Sequence, residues 1–312
     1  MADIQPFSFA PEAKKLDENA SLWIPPLSEF KILQEIAQGG MGIVYKVFDR
    51  EQNRIAALKV LNMVSLLPSE RNEEIHRFQR EATISMQLQH PNLISGYRMG
   101  CEKGIWYYAM EYVSGKDLSD LVEERGYFSE PEVLTIALIV TKALDYLHQK
   151  DLIHRDIKPE NILLSYEGEL KICDYGLLRP RTIENDITAE GVSLGTPSYM
   201  SPEQARGDEE LDIRSDIYSL GITLFHFLAG SPPFESPSIT LTLSKHIFEK
   251  VPSVRKYNRA VSYEFDQILQ KMTAKHPNDR YQTPQELLQD LEKHQQQLAS
   301  HPQPSPPSLP TL

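Results

Sequence analysis

Cysteine is nearly absent from this chain. Cys101 and Cys173 are the only two in 312 residues, and they stand far apart. Two cannot build a disulfide framework, and no Cys/His spacing resembles a zinc site. Both read as reduced thiols, which points to a cytoplasmic protein. Basic charge is also short: 32 Lys and Arg face 44 Asp and Glu, a net charge of −12. With no Lys/Arg-rich run either, the chain lacks the electrostatic footprint of a DNA or RNA binder. No basic stretch precedes an apolar run at the N-terminus, where Asp3 stands, so no secretory signal is expected. Long hydrophobic runs are missing as well. The best candidate, Ile217 to Phe234, carries Gly221, His226, Gly230, Pro232 and Pro233. It reads as a buried helix plus a turn, not a membrane span. No internal repeat is visible.

What remains is ordinary globular composition, 40% apolar and 24% charged, in a chain long enough for about two domains of roughly 150 residues. A core of that size needs no disulfide or metal to hold it. Residues 1–28 form an extension whose Pro6, Pro11, Pro25 and Pro26 discourage regular structure. From Phe30 to Met110 strand signals dominate: Ile43 to Phe48 after the Gly39–Gly42 turn, Arg54 to Leu61, and Ile105 to Val113. One stretch, Asn72 to Leu88, has helical spacing, with Ile75, Phe78, Ala82 and Ser85 or Met86 on one face. After Gly115 helices take over. Ser129-Glu130-Pro131-Glu132 reads as a capping box, with Phe128 and Val133 placed for a hydrophobic staple. Thr283-Pro284-Gln285-Glu286 repeats that chemistry with Pro at the first helical position, opening a helix toward Gln297. Ser300 to Leu312, five prolines in 13 residues, reads as a flexible tail or linker. Strands with one helix, then mainly helices, imply an α+β fold in two lobes.

The chemistry concentrates in a few segments. His154-Arg155-Asp156-Ile157-Lys158-Pro159-Glu160-Asn161 is the most informative, because Asp, Lys and Asn at these spacings match a phosphoryl-transfer catalytic loop. Asp174-Tyr175-Gly176 follows Leu170-Lys171-Ile172-Cys173. Upstream stand Ala56-Ala57-Leu58-Lys59, Phe78-Gln79-Arg80-Glu81-Ala82 and the glycine-rich Ala37-Gln38-Gly39-Gly40-Met41-Gly42-Ile43-Val44. Downstream stand Gly195-Thr196-Pro197-Ser198-Tyr199-Met200-Ser201-Pro202-Glu203 and His276-Pro277-Asn278-Asp279-Arg280. In these segments, and in their order from about Phe30 to Leu298, the chain resembles the eukaryotic-like serine/threonine protein kinases, most closely their bacterial members.

The resemblance implies a bilobal protein-kinase fold over residues 29–298. A small N-lobe (29–110), with an antiparallel sheet and one main helix, would join through a hinge (111–116) to a larger, mostly helical C-lobe (117–298). The N-terminal extension and a Pro-rich tail (299–312) would lie outside it. It also implies roles. Asp156 would orient the attacking hydroxyl or accept its proton, and Lys158 would neutralise the γ-phosphoryl. Asn161 and Asp174 would hold magnesium, or manganese in its place. Lys59 would contact the α- and β-phosphates and pair with Glu81. Gly39 and Gly42 would let backbone N–H groups approach the phosphates, with Ala37 standing where the family has its first glycine. Ile36, Val44, Ala57 and Leu163 would sandwich the adenine of ATP. Met110 matches the gatekeeper, Glu111 and Val113 would offer backbone groups to the adenine edge, and Asp117 would reach the ribose or a basic substrate residue. Tyr175 replaces the usual Phe, filling the same aromatic volume.

Substrate class follows from Lys158, the serine/threonine pattern, and from the Gly195–Glu203 segment, which resembles a loop that docks a protein substrate. Thr196 would bridge Asp156 and Lys158. Glu203 should form a buried ion pair with Arg280, and Asp216 should accept hydrogen bonds from the catalytic-loop backbone. Arg155 precedes the catalytic Asp, as in kinases whose activation loop is ordered by phosphorylation, and Thr188, Thr182 and Ser193 are the candidate phosphosites, Thr188 first. The expected partners are protein substrates and a transient homodimer for trans-autophosphorylation, without nucleic acid or a membrane span. Two rival readings are a pseudokinase scaffold, favoured only by Ala37 and Tyr175, and a small-molecule kinase, which would lack the docking segment.

Overall fold

A computed structural model describes residues 27–39, 42–62, 71–174, 179–180 and 197–300. The chain packs as two compact units: the described residues up to Glu124 with those of Gln149–Thr196, and those of Arg125–His148 with Pro197 onward.

The first unit opens with β1 (Phe30–Gly39), β2 (Gly42–Asp49) and β3 (Arg54–Leu61), then α1 (Arg71–Gln87), β4 (Gly96–Glu102) and β5 (Ile105–Met110). The five strands form one antiparallel sheet in the order β1-β2-β3-β5-β4. Alternation decides its faces. Tyr45, Val47, Leu58, Val60 and Ala109 share one buried apolar cluster with Phe30 and Tyr107. Val44, Lys59 and Tyr108, cross-strand partners, share the other face with the paired Ala57 and Met110. The run expected to extend to Val113 ends as a strand at Met110: the Glu111 N–H still donates to the Ser95 carbonyl opposite (2.9 Å), but the Ser95 N–H returns to the Glu111 carboxylate (3.3 Å) and not to its carbonyl.

Helix α1 falls where the spacing places it, and buries Phe78, Ala82 and Ser85 together with Glu81. Glu73 and Glu74 occupy its first turn, the favourable end of the helix dipole for negative charge. Gly96 lets β4 approach it: a β-carbon there would lie 2.7 Å from Ser85 Oγ and 2.8 Å from the Met86 nitrogen. After β6 (Gly115–Asp117) and α2 (Leu118–Arg125), the unit resumes with β7 (Leu152–Ile153), β8 (Ile162–Ser165), β9 (Leu170–Ile172) and β10 (Arg179–Pro180). The order β6-β8-β9 makes a small antiparallel sheet, and β7 pairs with β10.

The second unit is helical: α3 (Glu130–His148), α4 (Pro202–Arg206), α5 (Ile213–Ala229), α6 (Ile239–Phe248), α7 (Tyr263–Met272) and α8 (Pro284–Ser300). The apolar stretch from Ile217 lies in α5, which buries nearly its whole circumference, so it lacks a polar face because it is central. Asp212 caps its start and Gly230, at φ 82°, its end. Among the described residues no helix is long and apolar enough to cross a membrane. The expected capping box at Ser129 is half formed. Glu132 accepts from the Ser129 N–H (2.8 Å), but the Ser129 hydroxyl donates to the same carboxylate (2.7 Å) instead of accepting from the backbone. At the later site Glu286 N–H donates to Thr283 Oγ1 (3.2 Å), while the Glu286 carboxylate reaches the N–H of Gln282 rather than of Thr283.

Two histidines of this unit are held as neutral rings, His246 buried and His226 half-buried. His246 Nε2 lies 3.0 Å from the Ser198 carbonyl and its Nδ1 2.9 Å from the Tyr218 hydroxyl, so the ring donates to the first and accepts from the second. His226 Nδ1 lies 2.8 Å from the Tyr199 hydroxyl. Burial pulls both pKa values down to about 4, with Lys275 adding to the effect at His246. The unfolded chain therefore protonates first, and stability present above about pH 6.5 is lost as pH falls toward 4. By pH 5 each ring should cost on the order of 1–2 kcal/mol. Denaturant melts at pH 7 and pH 5 should show this loss, and His226→Phe should remove part of it.

Candidate active site

The first unit carries two clusters of charge. On β3, Lys59 is brought inward by the sheet face it shares with Val44 and Tyr108, and its side chain is only 11% exposed. Its Nζ donates to Glu81 Oε1 of α1 at 2.7 Å and lies 3.7 Å from Asp174 Oδ1. Burial works against the Lys59 charge, but Glu81 and Asp174 outweigh it and hold its pKa above the usual lysine value. Burial raises the Glu81 carboxyl, while Lys59 and the Tyr108 hydroxyl pull it back. A solvated strand lysine and a solvated helix carboxylate would show neither feature.

The second cluster is the loop before β8. Asp156 Oδ2 accepts from Lys158 Nζ at 2.8 Å and from Asn161 Nδ2 at 2.9 Å, and Asn161 Nδ2 also donates to the Asp156 carbonyl at 2.8 Å. Lys158 is held above its ordinary pKa: burial opposes this, and Asp156 overcomes it. The loop joins the first cluster through the backbone, since Cys173 N–H, one residue before Asp174, donates to the Asn161 carbonyl (2.9 Å). Arg155 (φ 70°) and Asp174 (φ 64°) both adopt left-handed backbone, a conformation that costs non-glycine residues energy and gathers at functional sites.

A divalent cation suits the residues present. Asn161 spends its Nδ2 on Asp156, which leaves Oδ1, and Asp174 is 46% exposed at its side chain. One carboxylate and one amide oxygen are the ligands a hard cation takes.

The apolar residues fall less evenly. Ala57 is buried, Val44, Met110, Val113 and Leu163 are half-buried, and Ile36 is 46% exposed beside a register shift in β1. Val44, Ala57 and Met110 share the Lys59 face of the sheet. Glu111 has its N–H committed to Ser95, so its carbonyl is what it can offer, and its carboxylate grips Lys171 of β9 at 2.6 Å. Asp117 Oδ1 accepts from Asp120 N–H (2.8 Å), capping α2. Gly39 is exposed at the end of β1 and pairs with Gly42. A β-carbon at Gly42 would lie 2.2 Å from the Val60 carbonyl oxygen, so only glycine fits there. Gly40, Tyr175, Thr182, Thr188, Ser193 and Thr196 lie outside the described residues.

In the second unit Arg280 and Glu203 form the expected buried pair, at 2.7 and 2.8 Å. Asp216 is fully buried on α5. Ser201 gains a role the motif does not announce: its hydroxyl accepts from Gln204 N–H while the Gln204 side chain accepts from Ser201 N–H, a complete capping box for α4. Sequence signals also pass over Tyr108 and Lys171, which only strand register brings to Glu81 and Glu111.

A paired Lys and Glu beside a half-exposed carboxylate, with an Asp-Lys-Asn loop hydrogen-bonded to itself, suit the charge demands of phosphoryl transfer. The family described as protein kinase domain matches residues 30–291, and the chain belongs to that family. Members of the family use ATP with a divalent metal ion. A probable serine/threonine-protein kinase of Clostridium perfringens is 37% identical over 267 residues, 85% of this chain and 38% of the relative. Serine/threonine-protein kinase PrkC of Bacillus subtilis is 38% identical over 84% of this chain and 40% of its own length. For PknB of Mycobacterium tuberculosis the figures are 36%, 81% and 41%. The chain thus spans about two fifths of the length of these curated relatives.

Proposed function

We propose that the chain is a protein serine/threonine kinase, transferring the γ-phosphoryl of Mg-ATP to Ser or Thr hydroxyls of proteins. The observation that carries this reading is the buried Lys59–Glu81 pair with Asp174 at 3.7 Å, standing in one unit with the Asp156–Lys158–Asn161 loop. A scaffold has no need to bury a lysine among two carboxylates, and that favours catalysis over the pseudokinase reading. The kinase names of the relatives point the same way.

Phosphoryl transfer asks a protein for position and charge compensation more than for covalent chemistry. Lys59 grips the α- and β-phosphates. Val44, Ala57, Met110 and Leu163, with Ile36 at the rim, enclose the adenine, and Glu111 and Val113 meet its edge through the backbone. Asn161 Oδ1 and Asp174 would hold magnesium, which supplies neutralisation of phosphate charge when bound. Asp156 orients the acceptor hydroxyl and takes its proton, and Lys158 stabilises charge on the moving group. The domain is taken as residues 29–298, with extensions on either side. The work is placed in the cytoplasm, where ATP is supplied and free thiols such as Cys101 and Cys173 stay reduced. Protein substrates are its partners, with a second copy for trans-phosphorylation of Thr188, Thr182 or Ser193.

The full chain incubated with Mg-ATP should gain phosphate on Ser or Thr, read by phosphosite-resolved mass, and excess EDTA should abolish the gain. It should phosphorylate a generic basic protein but not small amines or alcohols. ATP binding without phosphate on either protein, or label on the small molecules alone, would overturn the reading.

A further inference from the structure

Glu81 uses one carboxylate oxygen for two donors. Its Oε1 accepts from Lys59 Nζ at 2.7 Å and from the Tyr108 hydroxyl at 2.5 Å, while Oε2 is buried with no hydrogen-bond partner among the described residues. Tyr108 is 2% exposed. On β5 it pairs with Lys59 of β3 on one side and Met99 of β4 on the other, so the sheet delivers the phenol and the ammonium to the same oxygen from adjacent strands. Its ring meets Phe78 of α1 edge-on, centroids 5.3 Å apart, and the Lys59 ammonium lies 5.9 Å from its centroid. Tyr108 thus ties α1 to the sheet twice, through its ring and through its hydroxyl.

We propose that Tyr108 is a positioning residue that seats Glu81, and with it α1, so that Lys59 is aimed at the phosphate site before nucleotide arrives. This rests on the kinase reading for the role of Lys59. The argument is one of competition. Lys59 has Glu81, Asp174 and, on that reading, two phosphates to serve with a single ammonium, so each step it takes toward phosphate loosens its hold on Glu81. The phenol has one proton to donate, and it goes to Glu81. A hydrogen bond to an ionised carboxylate is among the stronger ones, and Glu81, already short of a partner at Oε2, has little to replace it with. Tyr108 keeps the carboxylate in place while Lys59 is shared.

Tyr108→Phe in the full chain keeps the ring and removes only the hydroxyl. The amides of α1 should exchange with deuterium about tenfold faster, as a loss of about 1.4 kcal/mol in local opening requires. The KM for ATP should rise by about the same factor with kcat within about threefold, a split that general destabilisation would not produce. In a Glu81→Gln background, removing the hydroxyl should change α1 exchange by less than about twofold, because the group it acts through is gone. Unchanged exchange and KM in Tyr108→Phe, or the same loss in both backgrounds, would overturn the proposal. If the chain binds no ATP the kinase reading falls, and α1 exchange alone then decides for or against the Tyr108 latch.

Discussion

Asp156→Asn lowers kcat for phosphoryl transfer by about 10²–10⁴-fold, the range expected for loss of a general base, and leaves ATP affinity unchanged. The size follows from where the two donors land. Lys158 Nζ and Asn161 Nδ2 both reach Asp156 Oδ2, at 2.8 and 2.9 Å, which leaves Oδ1 for the incoming hydroxyl. An asparagine in that frame must turn its amide oxygen toward Lys158 and Asn161, since its NH₂ would meet two donors head-on. The NH₂ then occupies the position of Oδ1. It presents a donor where an acceptor is needed, and it cannot take a proton. Nothing in the Lys59–Glu81 cluster is touched, so KM for ATP and the melting temperature should hold. Steady-state kinetics with intact-mass detection checks both halves. A rate within tenfold of wild type would remove Asp156 from the proton transfer, and lost ATP binding would mean that the loop had rearranged.

What could be read in the chain and what could not divides along a physical line. The Asp156–Asn161 loop and helix α1 were legible because their chemistry sits within a few residues, or within one helical period, whereas the Glu203–Arg280 pair joins distant segments and was expected only from the family resemblance. Tyr108 was not, because its meaning depends on standing opposite Lys59 across two strands. In a one-dimensional reading it is one aromatic residue in a run of them. The Glu111–Lys171 contact is hidden for the same reason: β9 must first pair with β8 before Lys171 can face the end of β5. The end of that strand at Met110 was also invisible, since nothing in the apolar run through Val113 shows that the Ser95 N–H opposite takes the Glu111 carboxylate as its acceptor. At Ser129 the box was recognised but its proton ran the other way. A hydroxyl can donate or accept, and only the placement of the Glu132 carboxylate decides which.

Arg280→Met destabilises the fold by about 3–5 kcal/mol, the cost of breaking a buried ion pair by removing one partner. That is a large share of the roughly 5–15 kcal/mol that holds a typical domain. The Arg280 side chain is fully buried, and every one of its five N–H bonds is used. Two go to the Glu203 oxygens at 2.7 and 2.8 Å, and the others to the carbonyls of Ala274 (2.7 Å), Arg214 (2.9 Å) and Lys275 (3.0 Å). Methionine fills much of the volume but leaves three carbonyls and a carboxylate unserved. Ser215 Oγ, which donates to Glu203 Oε1 at 2.6 Å, cannot compensate a whole charge. Acid response identifies the cause. In the wild type burial raises the Glu203 carboxyl, but Arg280 more than reverses this and holds it below the ordinary glutamate value. Its contribution is therefore present above the unfolded pKa and lost as pH falls through the folded one. In Arg280→Met burial is opposed only by the neutral hydrogen bonds from Ser215 and the Glu203 backbone, the folded pKa rises above the unfolded one, and acidification relieves the strain. Urea melts at pH 7 and pH 5 should show the gap between variant and wild type narrowing at the lower pH, and adding Glu203→Gln should recover about 1 kcal/mol or more at pH 7. A gap that ignores both pH and Glu203→Gln would place the cost in lost packing against Tyr218, whose ring lies 4.9 Å from the guanidinium, and not in the orphaned carboxylate.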